Sequence, residues 1–209
     1  RDSFKSYPGS GTTFNGLFSS TGGTLVNGTG YTSDGGGSFV FDGTNDYLIT
    51  SANVSPLGSN SRTICIWFYI PNSQRKNLYG YGQGGSGQIF DIITWDSDGL
   101  NRIIGHYWGG GYDTLGTMPF RNTLNIPGWN FLVHTYNGSA VSLYTNTVFS
   151  NSTNLGLNTF SSSLTVAKGT YDPYDYFTGK VSTLQIFNRV LSTLEMNKIY
   201  NATRDRYGV

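Results

Sequence analysis

Short runs of apolar residues, many alternating with polar ones, recur along the chain and are separated by turns rich in glycine and asparagine. Runs of this length and period are typical of β-strands rather than helices. The pattern predicts strands at residues 38–41, 46–49, 63–70, 88–95, 102–108, 129–136, 140–144, 163–167 and 180–187. Strands at this spacing, joined by such turns, indicate an all-β fold, a two-sheet antiparallel sandwich or jelly roll.

Three local features sharpen this picture. Asp42-Gly43 predicts a turn between the first two strands, and Asn137-Gly138 predicts a later hairpin. Residues 63–70 are almost continuously apolar, which is typical of a central strand covered on both faces. Cys65 lies in that strand, so we expect a buried thiol rather than a reactive one.

One short helix is predicted near the C-terminus. Ser192-Thr193-Leu194-Glu195 matches a capping box, and Met196, Ile199 and Tyr200 follow at helical spacing, up to about Ala202. Glu195 is the only glutamate of the chain, so helix content must be low.

Composition limits the partners. The 209 residues fit one domain, 1–209, and the first residue is arginine, so we expect a fragment or processed part of a longer protein. Thirteen basic and twelve acidic residues give a net charge of +1, which offers no electrostatic footprint for nucleic acid. No apolar stretch approaches the length of a membrane span.

The order of these segments resembles the laminin G-like branch of the concanavalin A-like lectin and glucanase superfamily. The segments that carry the resemblance are residues 37–47 (Gly-Ser-Phe-Val-Phe-Asp-Gly-Thr-Asn-Asp-Tyr), 63–68, 128–139 and 177–192. The resemblance implies a concanavalin A-like jelly-roll sandwich with one short C-terminal helix. Residues 200–209 resemble the ends of such domains in tail-fibre and capsid-associated proteins of bacteriophages, which implies a location at the virion surface.

Catalysis is not expected. Glycosidases on this fold need two carboxylates across the scissile bond, usually glutamates spaced two or four residues apart, and one glutamate cannot supply them. Asp96-Ser97-Asp98-Gly99 has the spacing, but its composition is typical of a hairpin turn. His106 and His134 lie on predicted strands without a partner at metal-ligand spacing, so we expect them to be packed or half-exposed.

Glycan binding is the positive hypothesis, because sugar sites combine exposed aromatic rings with polar side chains. Three predicted loops have this composition, and they contain Tyr107, Trp108, Tyr112 and Asp113; Tyr171, Tyr174 and Tyr176; and Tyr79 and Tyr81. The same rings would serve a protein interface, or would pack over an end of the sandwich. The sequence leaves these alternatives open.

A cofactor is not expected. Asp42, Asn45 and Asp46 form an oxygen-rich cluster that leaves structural calcium as an alternative to simple turn formation.

We therefore expect a non-catalytic virion-surface protein, a capsid decoration or tail-fibre domain, with lectin-like carbohydrate-binding and adhesive capacity. Its partners would be virion proteins and host cell-surface glycans, and a homo-oligomer stays open. A carbohydrate-binding or adhesive module of a secreted, extracellular bacterial protein is the alternative. A glycoside hydrolase is the most distant alternative.

Overall fold

The computed structural model describes residues 7, 9–16, 22–52, 54–95, 102–108, 124–170 and 175–209. Within these residues lie fourteen strands and one α-helix, in chain order: β1 (Thr13–Asn15), β2 (Gly22–Val26), β3 (Gly30–Thr32), β4 (Ser38–Asp42), β5 (Tyr47–Ala52), β6 (Arg62–Ile70), β7 (Lys76–Gly82), β8 (Ile89–Trp95), β9 (Arg102–His106), β10 (Gly128–Tyr136), β11 (Ala140–Thr145), β12 (Val148–Asn154), β13 (Ser163–Val166), β14 (Thr178–Phe187) and α1 (Thr193–Thr203).

The strands form two antiparallel sheets of seven. The first sheet has the order β1-β2-β5-β13-β7-β8-β9, and the second has the order β12-β11-β10-β6-β14-β4-β3. Side chains alternate between the two faces of a strand, so each sheet buries one face against the other. Phe39, Ile66 and Phe68 of the second sheet share this core with Leu48 and Phe90 of the first. The predicted sandwich is confirmed.

A fully buried arginine lies in this core. The Arg62 guanidinium donates hydrogen bonds of 2.6–3.0 Å to the carbonyl oxygens of Pro56, Gly58 and Asn60 and to the hydroxyls of Tyr81 and Thr159. Its central carbon lies 5.0 Å from the ring centroids of both Phe90 and Tyr136. All of these partners are uncharged, so carbonyl dipoles and ring faces stabilise the cation.

His134 completes this polar centre. Its ring stacks on Phe90 at 3.8 Å, and its two nitrogens lie 2.9 Å from the Tyr79 hydroxyl and 2.7 Å from the Tyr107 hydroxyl. Burial, together with the charge of Arg62, holds the pKa of His134 well below its usual range. The imidazole is therefore neutral, and the prediction of a packed histidine is confirmed.

Helix α1 covers the outer face of the second sheet. Trp67 of β6 stacks on Tyr200 and Tyr207, and its indole Nε1 donates to Thr203 Oγ1 at 2.9 Å. Strand β6 is thus covered on both faces, as its apolar sequence predicts. Cys65 is buried in the same layer, and burial raises the pKa of its thiol, so the group is unreactive.

The helix begins where the sequence predicts. Ser192 Oγ accepts from the backbone N–H of Glu195, and the Glu195 carboxylate accepts from the backbone N–H of Ser192. Arg189 binds that carboxylate as well, which keeps the pKa of Glu195 low, at about 2. In the described part of the chain, no helix has the length and apolar character needed to cross a membrane.

Two predictions about strands need correction. β4 and β5 flank the Asp42-Gly43 turn, but they lie in opposite sheets instead of pairing with each other. Residues 79–83 were expected to be a loop, whereas β7 is an interior strand between β13 and β8. Short strands β1, β2 and β3, and the edge strand β12, have too little apolar content to be predicted at all.

Candidate functional site

The outward face of the first sheet carries a carboxylate at its centre. On β8, Phe90 and Ile92 point into the core, so Asp91 points to the opposite face. Strand register places Asp91 beside Gly80 of β7 and beside His106 of β9. Asp91 and His106, with Gly80 beside Asp91, therefore form a polar row across this face.

Gly80 makes room for that carboxylate. A Cβ atom at position 80 would overlap Asp91 Oδ1 and Thr170 Oγ1, so a larger residue would displace these side chains. Asp91 is fully buried, and among the residues that the structure describes neither of its oxygens has a partner at hydrogen-bond distance. Nδ1 of His106 lies 3.7 Å from Oδ2.

Burial raises the pKa of Asp91 to about 6, although the neighbouring His106 lowers it and Asp175 raises it further. A buried carboxyl group with a strongly raised pKa costs folding free energy at neutral pH. Such groups cluster at functional sites, where the cost is retained for binding or chemistry.

An aromatic wall follows β9. The half-buried Trp108 meets His106 edge-on, with ring centroids 5.9 Å apart. Its backbone has a φ of 61°, a left-handed conformation that is uncommon for any residue other than glycine. The strained turn holds the Trp108 indole beside the polar row of this face.

A second wall comes from residues 168–170, 175 and 176, which follow β13. A bridge joins Lys168 to Tyr176, and a second bridge, between Asn77 and Tyr176, attaches this segment to β7. The Tyr176 ring centroid lies 6.3 Å from that of Tyr47, and Lys168 Nζ lies 4.3 Å from the centre of the Tyr47 ring. Lys76 Nζ lies 3.6 Å from Asp175 Oδ1. Half-buried rings and charges of both signs thus border this side.

We call this outward surface of β5, β13, β7, β8 and β9, with Trp108 and residues 168–170, 175 and 176, the β8 face. Its edge strands β5 and β9 are four strand spacings apart, or about 19 Å. The spacing suits an extended ligand better than a single small molecule. Within the described ranges, no three His, Cys, Asp or Glu side chains come together as a metal site.

Two of the sequence-predicted aromatic residues, Trp108 and Tyr176, lie on the β8 face. Three others do not: Tyr79, Tyr81 and Tyr107 are fully buried between the sheets. Their expected exposure is wrong, because their hydroxyls bind His134 and Arg62 inside the core. Tyr112, Asp113, Tyr171 and Tyr174 lie outside the described residues.

The residues suggested for calcium serve the turn itself. Asp42 Oδ1 accepts from the Thr44 N–H at 2.7 Å, and Asp46 Oδ2 accepts from the Asp42 N–H at 3.3 Å. The carbonyl oxygen of Asn45 accepts from the Asn27 amide. Burial, with the nearby charge of Asp42, raises the pKa of Asp46.

Asp91 and His106 are the residues that the sequence interpretation missed as a site. Asp91 is the only charged residue in the strand Ile89–Trp95, and that isolation was the available signal. Its neighbours Gly80 and His106 lie on other strands, so only the strand register brings them together.

Comparisons with known proteins agree with this architecture. Residues 42–197 match a laminin G-type family model described as the concanavalin A-like lectin/glucanases superfamily. No curated protein sequence matches the chain.

Solved structures resemble the fold at low sequence identity. Domain 4 of AbnA, an extracellular GH43 arabinanase from Geobacillus stearothermophilus in complex with arabinotriose, has a TM-score of 0.71 and 14% identity, covering 89% of this chain and 92% of that one. The binding domain of Paraclostridial Mosquitocidal Protein 1 has a TM-score of 0.61 and 16% identity, covering 90% of this chain and 49% of that one. A mutant Trypanosoma rangeli sialidase with trans-sialidase activity has a TM-score of 0.68 and 13% identity, covering 98% and 33%.

The chain therefore spans about half of the toxin's binding domain and a third of the sialidase. At these identities the likeness shows the fold alone. The family match is broader, because residues 42–197 make up well over half of the 209 residues. Together with the two seven-stranded sheets and the C-terminal helix, it shows that the protein belongs to the concanavalin A-like lectin/glucanases superfamily as a laminin G-like domain.

Proposed function

We propose that this domain is a non-catalytic carbohydrate-binding module that uses the β8 face. The observation that carries the proposal is the grouping of half-buried Trp108, Tyr176 and Tyr47 around a row of polar side chains on one side of the sheet. Sugars present apolar C–H surfaces and fixed hydroxyls, so rings and polar groups together match both. Domain 4 of AbnA, which shares the fold, is described in complex with arabinotriose.

Each part of the β8 face has a role in this proposal. Trp108 and Tyr176 supply flat apolar surface at opposite sides, and Lys168 supplies a hydrogen-bond donor beside Tyr47. The Asp91 carboxylate lies beneath His106 and acts through it, fixing the position of the imidazole that a ligand would meet. Recognition of an extended glycan across about 19 Å follows from the four strand spacings between β5 and β9.

Replacing Trp108 or Tyr176 by alanine is expected to reduce glycan binding about tenfold or more, because each ring is a large anchor at the ligand surface. A glycan array with the purified domain identifies the ligand, and titration calorimetry with that glycan measures the loss. Tyr31→Ala is the matched control, since Tyr31 is 41% exposed and lies on the second sheet. Binding unchanged in Trp108→Ala and Tyr176→Ala would remove the β8 face as the site.

We propose that binding needs no cofactor. Asp42 and Asp46 already accept backbone hydrogen bonds, which supports turn formation at that cluster. The array is therefore expected to give the same profile with calcium and with chelator. A loss of binding or of thermal stability in chelator would instead support structural calcium at Asp42, Asn45 and Asp46.

We place the module at the virion surface, as a capsid decoration or tail-fibre domain that contacts virion proteins and host glycans. The support is the resemblance of residues 200–209 to phage tail-fibre and capsid-associated domains. Immuno-electron microscopy with an antibody to the domain tests it, and labelled particles are expected. Labelling of a secreted, particle-free fraction would favour an adhesive module of an extracellular bacterial protein.

One observation favours a second function, glycoside hydrolysis. The Asp91 pKa of about 6 suits a general acid, and Asp175 is close enough for its charge to raise that pKa. We favour binding, because Asp175 is paired with Lys76 and Asp91 is fully buried. Release of chromophore from a panel of aryl glycosides, lost in Asp91→Asn, would reverse this preference.

A further inference from the structure

A cleft separate from the β8 face opens at the end of the sandwich where β6 begins. Its volume is about 830 Å³, within the range of small-molecule sites. One wall consists of residues 54–56, 60 and 61, from the connection between β5 and β6. The other consists of residues 186–188, at the end of β14. We call this the β6–β14 cleft.

Both walls are fixed to the first two residues of β6. Arg62 holds the first wall through the carbonyl oxygens of Pro56 and Asn60, and the Tyr81 hydroxyl donates to Pro56 as well. Thr63 holds the segment after the second wall, because its hydroxyl donates to the Arg189 carbonyl at 2.8 Å and accepts from the Leu191 N–H at 3.1 Å. A cleft fixed in this way loses little conformational entropy when a ligand binds.

The lining is uncharged. Hydroxyl and amide groups come from Ser55, Asn60, Ser61 and Asn188. The half-buried Phe187 is the largest of the apolar residues beside them. Two arginines adjoin the lining residues in sequence: Arg62 is engaged by uncharged acceptors, and Arg189 is engaged by Glu195. Such a lining offers donors, acceptors and apolar surface to a neutral ligand, and nothing to neutralise an ion.

The Ser55 hydroxyl lacks a hydrogen-bond partner. Ser55 is only 6% exposed, and in the described part of the chain its buried Oγ makes no hydrogen bond. A buried hydroxyl without a partner costs about 1–3 kcal/mol, and native structures contain few of them. Because Ser55 is one of the lining residues, a ligand hydroxyl that reached its Oγ would satisfy it.

We propose that the β6–β14 cleft is a second binding site, and that its ligand is a neutral saccharide unit. The inference stands apart from the proposed function, since the two sites share no lining residue. A domain with both sites would bind two points of one glycan, or two glycans, and would gain affinity through multivalency.

The test is a titration of the ¹⁵N-labelled domain with neutral methyl glycosides of common hexoses and pentoses, at millimolar concentration. We expect backbone amide signals of Asn60, Ser61 and Asn188 to shift with at least one glycoside. Asn188→Trp fills the cleft and is expected to abolish the shifts, whereas Asn201→Trp, the same change at an exposed position on α1, keeps them. Ser55→Ala is expected to weaken binding about three- to tenfold with an unchanged or higher melting temperature.

Cleft signals that do not move with any glycoside would overturn the proposal, as would shifts that persist in Asn188→Trp. A fall in affinity for Ser55→Ala accompanied by a large fall in melting temperature would also count against it, because Ser55 would then act through the fold. Trp108→Ala separates the two sites. Cleft shifts that survive in this variant support the second site whether or not the β8 face binds glycan.

Discussion

Replacement of Arg62 by methionine is expected to lower the free energy of unfolding by about 4 kcal/mol. Methionine fills much of the space but donates no hydrogen bond, so three carbonyl oxygens and two hydroxyls each lose the hydrogen bond from Arg62, and some of them keep no other partner. Each buried polar group left without a partner costs about 1–3 kcal/mol, less what local rearrangement recovers. Few single substitutions are this costly.

Urea unfolding of the wild type and the variant measures the difference. Arg204→Met is the matched control, because Arg204 is exposed near the C-terminus, and only a small change is expected there. Arg62→Lys distinguishes charge from geometry: one ammonium group cannot reach all five acceptors, so a large loss is expected again. An Arg62→Met variant as stable as the wild type would show that the core does not depend on this network.

Replacement of Asp91 by asparagine is expected to stabilise the domain at pH 7 by about 2 kcal/mol and to change how its stability depends on pH. Asparagine keeps the shape of the side chain and removes the cost of burying a charge. Asp91 has a pKa of about 6 in the folded protein, against 3.8 for the ordinary group. The pKa difference corresponds to about 3 kcal/mol.

The direction of the change in stability with pH follows from proton binding by Asp91. Between pH 4 and pH 6 the folded wild type holds a proton on Asp91 and the unfolded chain does not, so acidification favours the folded state in this window. The stability advantage of Asp91→Asn over the wild type should therefore shrink by about 2 kcal/mol from pH 7 to pH 4. Urea unfolding of both proteins at several pH values measures this difference.

Two further variants make the pH result specific. Asp205→Asn changes an exposed carboxylate and should leave the difference from the wild type flat across the window. His106→Gln, made in the wild type and in Asp91→Asn, separates the contribution of the imidazole, because His106 contacts Asp91. A difference in unfolding free energy between wild type and Asp91→Asn that stays constant at all pH values would show that the pKa of Asp91 is not raised by burial.

The same variant bears on function. A residue that costs stability is retained when it serves a site, and loss of function is the usual result of removing it. Asp91→Asn is therefore expected to be more stable and to bind glycan less well, since His106 would lose its charged neighbour.

Much of the fold could be predicted from the sequence, because its signals are local. The capping box at Ser192 and Glu195 needs only four consecutive residues. The apolar run of β6 reflects its two covered faces. The turn after β4 was also identified, but the sequence of a turn does not specify whether the chain returns to the same sheet or crosses to the other.

The site was harder to predict, because exposure of an aromatic ring is not a local property. Tyr79-Gly80-Tyr81-Gly82 has the composition of a binding loop, and it is also the pattern of a strand with one face in the core. Gly80 is small because Asp91 of the next strand occupies the space above it. The constraint on Gly80 comes from a residue of β8, so the sequence of β7 alone cannot predict it.

The position of the last two strands has a consequence for synthesis of the protein. β13 lies between β5 and β7, and β14 lies between β4 and β6, with Phe187 in register with Thr63. During synthesis on the ribosome, each sheet therefore remains two separate halves with unpaired edge strands until residues 163–187 emerge. Such edges pair readily with other chains. The domain must finish folding after most of it has been made, and a chain that stops short of residue 187 is expected to aggregate rather than to persist as a smaller domain.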